Sequence, residues 1–271
     1  MKSVCNLLIL LFCASTAKAG TVDTVAIYSN SMHKHLKAVI IKPDNYKLTN
    51  KKFPVVYLLH GYDGWYSNWI IRAPELKDYA DASQIIIVCP DGAISSWYFD
   101  SPVDITYRYE THISTEVVGY IDKNYRTIAD KKHRAITGLS MGGHGALFLA
   151  LRHDDIFGAA GSMSGVVDLK ESKNRFDISK RIGDTITHAK DWHNLNVINL
   201  IENYKYTKLK IMFDCGDKDI FIDGNRRLHQ KMLQLKIPHK YIERPGQHDW
   251  DYWRNAISFQ LLYFKRFFQQ Q

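Results

Sequence analysis

The sequence has little cysteine and no residue pattern that would hold a metal ion. Only four cysteines occur among its 271 residues, and two of these lie in the first 20. The other two, Cys89 and Cys215, stand in apolar runs and predict buried free thiols, which excludes a disulfide framework. No C-x-x-C or H-E-x-x-H motif occurs, and the H-x-H of His33 and His35 lies in a polar stretch typical of a surface. We therefore expect no metal and no other cofactor.

The sequence also lacks internal repeats, low-complexity linkers and any nucleic-acid-binding motif. Its net charge is +8, but the lysines and arginines are scattered, which favours a solvated basic surface over a nucleic-acid partner. Attraction to acidic cell-surface polymers is the alternative interpretation of that charge. With 45% hydrophobic and 24% charged residues, the composition is that of an ordinary globular protein with a full core.

The N-terminus has the pattern of an export signal. Lys2 precedes an apolar run at residues 7–12, and a small-x-small sequence ends at Ala19. The run is too short to span a bilayer, and no later segment resembles a membrane span. An N-terminus retained as an anchor, with a lipid on Cys13, is the alternative, which the bulky Phe12 disfavours. We expect a signal peptide at residues 1–19 and a secreted or periplasmic domain at residues 20–271.

The rest of the chain alternates strand-like and helix-like segments, which predicts a mostly parallel α/β sheet with helices on both faces. An antiparallel pair at residues 25–28 and 36–41 opens the domain. The following runs are continuously apolar, as strands buried on both faces require. Residues 168–206 are polar and long for a connection, and we interpret them as an insertion over the sheet, where they could shape a pocket or form a solvated excursion. The six runs read VVYLLHG, IIIVCPDG, RAITGLS, AAGSMSG, KIMFDCGD and KYIERPG.

The strongest motif is G-x-S-x-G, centred on Ser140 and placed between a strand-like and a helix-like segment. A sharp turn there would expose the serine at the carboxyl end of the sheet, and a Cβ at Gly138 or Gly142 would clash with that turn. Serine needs a base to take its proton. His248 is the candidate, because it follows the last strand-like run directly.

An acid should lie between the nucleophile and the base in chain order. Asp214, Asp217 and Asp219 are the candidates, and we favour Asp219, because the apolar residues that follow it could bury its carboxylate. Asp217 remains the alternative. A reacting ester also needs two backbone donors for its oxyanion, and the amides of Tyr62 and Met141 are predicted for that role.

These motifs resemble the esterase-D family of α/β-hydrolases, which includes feruloyl and acetyl-xylan esterases, S-formylglutathione hydrolases, tributyrin-type esterases and mycolyltransferases. The resemblance covers essentially the whole mature chain. It implies an α/β-hydrolase fold, a triad of Ser140, Asp219 and His248, and oxyanion donors at Tyr62 and Met141. The shared runs are FPVVYLLHGYDG, PDG, YET, ITGLSMGGHGAL, DCGDKD and GQHDWDYW.

The resemblance and the export signal together predict a secreted serine esterase that acts on plant cell-wall carbohydrate as a feruloyl or acetyl esterase. Trp65, Trp97 and Trp250 are expected at the pocket mouth, where aromatic faces can stack on a sugar or a cinnamoyl ring. Three alternatives remain: an acyltransferase to a sugar hydroxyl, a general short-chain esterase, and a non-catalytic binding protein. The last is disfavoured because every triad residue is present.

Overall fold

A single mostly parallel sheet with helices on both faces forms the protein, which confirms the predicted fold class. The structure is a computed structural model and describes residues 21–270. The predicted signal peptide at residues 1–19 lies outside the described residues. Within them, no helix is long and apolar enough to cross a membrane.

The sheet has eight strands in the order β1-β2-β4-β3-β5-β6-β7-β8. β1 and β2 form the predicted antiparallel pair at one edge, β2 also pairs antiparallel with β4, and the remaining pairs are parallel. The carboxyl ends of the parallel strands therefore lie along the same edge of the sheet, which we call the carboxyl edge. The strands are β1 Thr21–Ser29, β2 Lys34–Lys42, β3 Val55–Leu59, β4 Ile86–Pro90, β5 Arg134–Gly138, β6 Ala159–Met163, β7 Lys210–Gly216 and β8 His239–Arg244.

The helices between the strands differ widely in length. A π-helical segment, His112–Val117, joins α3 to α4, so the three segments form one continuous helix that is wider in its middle. The helices are α1 Asn68–Arg72, α2 Leu76–Ser83, α3 Tyr109–Thr111, α4 Val118–Asn124, α5 Met141–Arg152, α6 Ile178–Ile182, α7 Ala189–Asn194, α8 Val197–Leu200, α9 Ile222–Gln234 and α10 Trp250–Gln269.

Two apolar cores lie on the two faces of the sheet. Tyr57 of β3 points into the core that also contains Leu147 of α5, whereas Leu58 points into the core that contains Phe264 of α10. Alternate residues of one strand thus enter different cores, which explains why the strand sequences are continuously apolar. The spacing of Leu228, Met232 and Leu235 predicts one buried helix face, but α9 ends one residue before Leu235, which is 45% exposed.

Both remaining cysteines, Cys89 and Cys215, are free and buried, as predicted. Burial raises the pKa of each thiol far above its usual range. A thiolate is the nucleophilic form of cysteine, so neither side chain is suited to covalent chemistry.

A buried polar cluster ties α10 to the strands beneath the carboxyl edge. The Asp214 carboxylate accepts hydrogen bonds from Arg244 Nη2 (3.0 Å), Tyr252 Oη (2.9 Å) and Gln260 Nε2 (2.7 Å). Gln260 also donates to the Ser162 carbonyl and contacts the Thr137 hydroxyl. Burial raises the pKa of Asp214, and the three donors act against that shift. The cluster holds the segment before α10, which carries His248, in a defined place over the sheet.

Candidate active site

Ser140 lies in a sharp turn between β5 and α5, with φ 52° and ψ −116°. A non-glycine residue with positive φ outside the allowed left-handed region costs on the order of 1–3 kcal/mol and needs surroundings that enforce it. Those surroundings are packed backbone. A Cβ added at Gly138 would lie 2.6 Å from the Gly142 carbonyl carbon, and one at Gly142 would lie 2.5 Å from the His60 carbonyl oxygen. The glycines of the motif are therefore required by close approach, as the sequence predicts.

The loop after β3 packs directly against this turn. A Cβ added at Gly61 would lie 2.5 Å from Leu139 Cδ1 and 3.5 Å from Ser140 Cβ, so the loop that carries Tyr62 lies against the serine turn. Met141 is the first residue of α5, and its amide is among the helix-terminal N–H groups that lack a carbonyl partner within the helix. The structure thus places both predicted oxyanion donors on segments that meet at Ser140.

His60 fixes the conformation of that loop, a role that the sequence analysis missed. Its Nδ1–H donates to the Gly61 carbonyl (2.8 Å), and its Nε2 accepts the Gly92 N–H (2.7 Å). Burial lowers the pKa of His60, which agrees with a neutral ring that donates at one nitrogen and accepts at the other. Tyr98 Oη donates to the His60 carbonyl (3.0 Å). The His-Gly sequence at the end of β3 is the signal that could have identified it.

The structure brings Ser140, His248 and Asp219 together in one line of hydrogen bonds. His248 Nε2 lies 2.9 Å from Ser140 Oγ, and His248 Nδ1 lies 2.9 and 3.1 Å from the two Asp219 oxygens. The Asp219 side chain is fully buried, whereas that of His248 is 20% exposed. This arrangement allows the imidazole to take the serine proton while the carboxylate holds the ring and stabilises its charged form.

Two aromatic rings hold the imidazole of His248 between them. Phe221 and Trp253 each lie 4.9 Å from it, with interplanar angles of 79° and 89°. The Phe221 N–H also donates to Asp219 Oδ1 (2.8 Å), so Phe221 orients the carboxylate, whereas Ile220, the first residue after Asp219, is 60% exposed. Asp217, the alternative acid, instead accepts the Gly246 N–H (3.1 Å) in an exposed turn.

The three predicted substrate-facing tryptophans have different environments. Trp65 is 49% exposed. Trp250 is half-buried and packs edge-on against Trp69 and Trp253. The prediction for Trp97 is wrong, because this ring is only 1% exposed. Its backbone φ of 56° turns the side chain inward, where it packs against the buried His144.

The described part of the chain contains no group of three or more His, Cys, Asp or Glu side chains that could hold a metal ion. Among the other histidines named from the sequence pattern, His33 and His35 are exposed.

Comparison with known proteins agrees with the resemblance to esterases that the sequence motifs indicate. The Esterase family model, described as "Putative esterase", matches residues 29–264. An esterase of Mycobacterium tuberculosis is 27% identical over 235 residues, which cover 77% of this chain and 51% of that protein. The chain therefore spans about half the length of that curated relative. A diacylglycerol acyltransferase/mycolyltransferase of Mycobacterium gordonae is 30% identical, over 76% of this chain and 70% of that protein.

Among solved structures, a ferulic acid esterase is 30% identical and superposes with a TM-score of 0.79, covering 92% of this chain and 99% of that chain. This similarity confirms the expected α/β-hydrolase fold and the resemblance to esterases of this type.

Substituting Gly142→Ala should separate the loop after β3 from the serine turn. The added Cβ would meet the carbonyl groups of Leu59, at the end of β3, and of His60, and overpacking of this kind costs about 1–3 kcal/mol. Urea unfolding measures this loss. Gly119→Ala is the matched control, because Gly119 is exposed in α4 and an added Cβ there meets nothing within 4 Å. The control should be neutral or stabilise by up to about 1 kcal/mol, and equal losses in the two variants would contradict the close-approach argument.

Proposed function

The chain belongs to the esterase family whose model spans residues 29–264, and from this premise we propose that it is a secreted serine carboxylic ester hydrolase. Ser140 is the nucleophile, His248 the base and Asp219 the acid. The observation that carries the proposal is the unbroken line of hydrogen bonds from the Ser140 hydroxyl through His248 to the buried Asp219. A buried carboxylate paired with a partly exposed imidazole is suited to hold the ring through a proton transfer.

In the acylation step, the acyl group of the substrate is transferred to Ser140. Ser140 Oγ bonds to the ester carbonyl carbon while its proton passes to His248 Nε2. The carbonyl oxygen becomes an oxyanion, which accepts hydrogen bonds from the Tyr62 and Met141 amides. The bond from carbon to the alcohol oxygen then breaks, and His248 returns the proton to the departing alcohol. The acyl group remains on Ser140.

Water completes the cycle by the same route. His248 takes a proton from a water molecule, whose oxygen bonds to the acyl carbon. The bond to Ser140 Oγ breaks, and the serine recovers its proton from His248. One ester and one water thus yield one acid and one alcohol, with Asp219 orienting the ring in both steps.

The proposed substrate is an ester on plant cell-wall carbohydrate, with a feruloyl or acetyl acyl group. Its main support is the 30% identity to a ferulic acid esterase over almost the whole of that chain. The half-exposed Trp65, in the loop after β3, and the partly buried Trp250, the first residue of α10, add aromatic surface on which a sugar ring could stack. Trp97 does not contribute to this surface.

Export through the N-terminal signal is part of the proposal, with cleavage after Ala19. Its support is the sequence pattern alone, in which a basic start, an apolar run and small residues follow one another. N-terminal sequencing of the protein from the medium or the periplasm should give Gly20 as the first residue. An unprocessed Met1, or a lipid-modified Cys13, would contradict cleavage at that site.

Acyl transfer to a sugar hydroxyl is the second candidate function, and the 30% identity to a mycolyltransferase favours it. A transferase would use the same three side chains, with an acceptor alcohol in place of water. The two functions differ in one observable. A transferase forms more acyl-sugar product as the acceptor concentration rises, whereas a hydrolase releases free acid at every acceptor concentration.

Replacing the acid should abolish most of the turnover. Asp219→Asn leaves the imidazole with the wrong tautomer and orientation, which can lower kcat by about 10⁴-fold. Asp217→Asn is the matched control, because an asparagine oxygen can still accept the Gly246 N–H. The kcat for hydrolysis of p-nitrophenyl acetate is measured for both variants. A larger loss in Asp217→Asn than in Asp219→Asn would overturn the assignment of the acid.

A substrate panel tests the carbohydrate assignment. We expect kcat/KM to be higher for feruloylated or acetylated xylan oligosaccharides than for tributyrin, because the proposal places Trp65 and Trp250 against the sugar. Trp65→Ala should raise KM for the oligosaccharide by a factor of about 2–10, the equivalent of one aromatic contact. Faster hydrolysis of tributyrin than of every sugar ester would contradict the carbohydrate assignment and leave the serine-esterase assignment standing.

A further inference from the structure

Phe176 lies between two loops of the proposed active site, the loop after β3 and the loop after β7. It belongs to the segment at residues 168–206 that the sequence marks as an insertion. Its half-buried ring contacts Tyr62 of the loop after β3 (centroids 5.4 Å apart, 66°) and Phe221 of the loop after β7 (6.1 Å, 64°). Phe221 in turn packs against His248. The insertion thus places one aromatic side chain between the Tyr62 ring and the Phe221 ring that packs on His248.

The backbone at Phe176 is held in an unusual conformation. Phe176 and the next residue, Asp177, both have φ of 56°. Consecutive non-glycine residues in the left-handed region are costly, and such strain persists only where the surrounding structure enforces it, often beside a ligand. The indole Nε1–H of Trp97 donates to the Phe176 carbonyl (3.0 Å) and thereby restrains the peptide group that follows Phe176.

Trp97 is itself anchored to the helix that follows the nucleophile. Trp97 and Tyr98 form a second left-handed pair, with φ of 56° and 60°. His144 of α5, four residues after Ser140, lies with Nδ1 3.2 Å from the Trp97 carbonyl and with Nε2 3.0 Å from the Leu195 carbonyl. A continuous set of buried contacts therefore runs from α5 through Trp97 to Phe176. The same histidine also contacts the insertion near its other end.

We propose that Phe176 forms one wall of the acyl subsite and selects planar aromatic acyl groups, and that Trp97 is the positioning residue that holds it there. The inference rests on the proposed function and narrows it to aromatic acyl esters. The ester carbonyl must point at the Tyr62 amide, and the alcohol must leave toward His248. The acyl chain is the third substituent of the carbonyl carbon, and we assign it to the side of the Phe176 ring, which packs between the rings of Tyr62 and Phe221.

The chemistry of the subsite agrees with a cinnamoyl-type group. An aromatic acyl ring can pack edge-to-face with Phe176, as Tyr62 and Phe221 already do, whereas an acetyl group is too small to gain from this contact. The exposed Arg175 guanidinium lies 4.7 Å from the Phe176 ring centroid. It is placed to donate hydrogen bonds to oxygen substituents on the acyl ring.

The test compares p-nitrophenyl ferulate with p-nitrophenyl acetate, which share a leaving group and differ only in the acyl group. The ratio of kcat/KM for ferulate to kcat/KM for acetate should fall about tenfold in Phe176→Ala, the upper end of one aromatic pair. Phe176→Tyr, which keeps the ring, should restore most of the ratio. Trp97→Phe keeps the buried ring but removes the donor to the Phe176 carbonyl, and it should lower the ratio by raising KM for ferulate.

Trp192→Phe is the matched control for Trp97→Phe. Its buried indole donates a similar hydrogen bond, to the Gly183 carbonyl (3.1 Å), within the same insertion but without contact to Phe176. A general loss of stability would affect both tryptophan variants, whereas the proposal predicts a changed acyl preference only in Trp97→Phe. If that variant does not fold, the two Phe176 variants decide.

Three results would overturn the inference: an unchanged ratio in Phe176→Ala, an equal change in Trp192→Phe and Trp97→Phe, or a wild-type protein that hydrolyses the acetate but not the ferulate. A wild-type protein that hydrolyses neither ester would instead overturn the proposed function itself.

Discussion

The close approach of backbone segments around Ser140 is the constraint on which the rest of the site depends. The turn between β5 and α5 and the loop after β3 can meet only because Gly61, Gly138 and Gly142 lack a Cβ. Their contact forces Ser140 into positive φ and raises its hydroxyl at the carboxyl edge of the sheet. The loop that carries Tyr62 and the start of the helix that carries Met141 meet there for the same reason. The turn thus sets the position of the proposed nucleophile and of the two segments that carry the proposed oxyanion donors.

Three aspartates within six residues show how environment divides roles among identical side chains. Asp214 is buried among Arg244, Tyr252 and Gln260, and it stabilises the packing of α10 on the strands. Asp217 holds an exposed turn through a backbone amide. Of the three, only Asp219 forms a hydrogen bond with His248, and the Phe221 ring packs against the same imidazole. Only Asp219 combines burial with an imidazole partner.

Much of this arrangement is predictable from the sequence, because it depends on local rules. The motif around Ser140, the continuously apolar strands and the placement of His248 after the last strand follow from steric limits, from periodicity and from chain order. Whether a particular side chain is buried does not follow from these rules. Trp97 follows a Pro-Asp-Gly turn and predicts an exposed loop residue, yet two successive left-handed residues direct its ring into the core. Phe176 stands in an insertion without any motif, so only the tertiary structure brings it beside Tyr62.

Covalent labelling of the native protein with a fluorophosphonate probe tests the central claim most directly, because the probe reacts with a serine that a neighbouring base activates. Peptide mapping should place a single label on Ser140, and the loss of esterase activity should follow the labelled fraction until both are complete. Complete labelling with activity retained, or a label on another serine accompanied by inactivation, would contradict the assignment of Ser140 as the nucleophile.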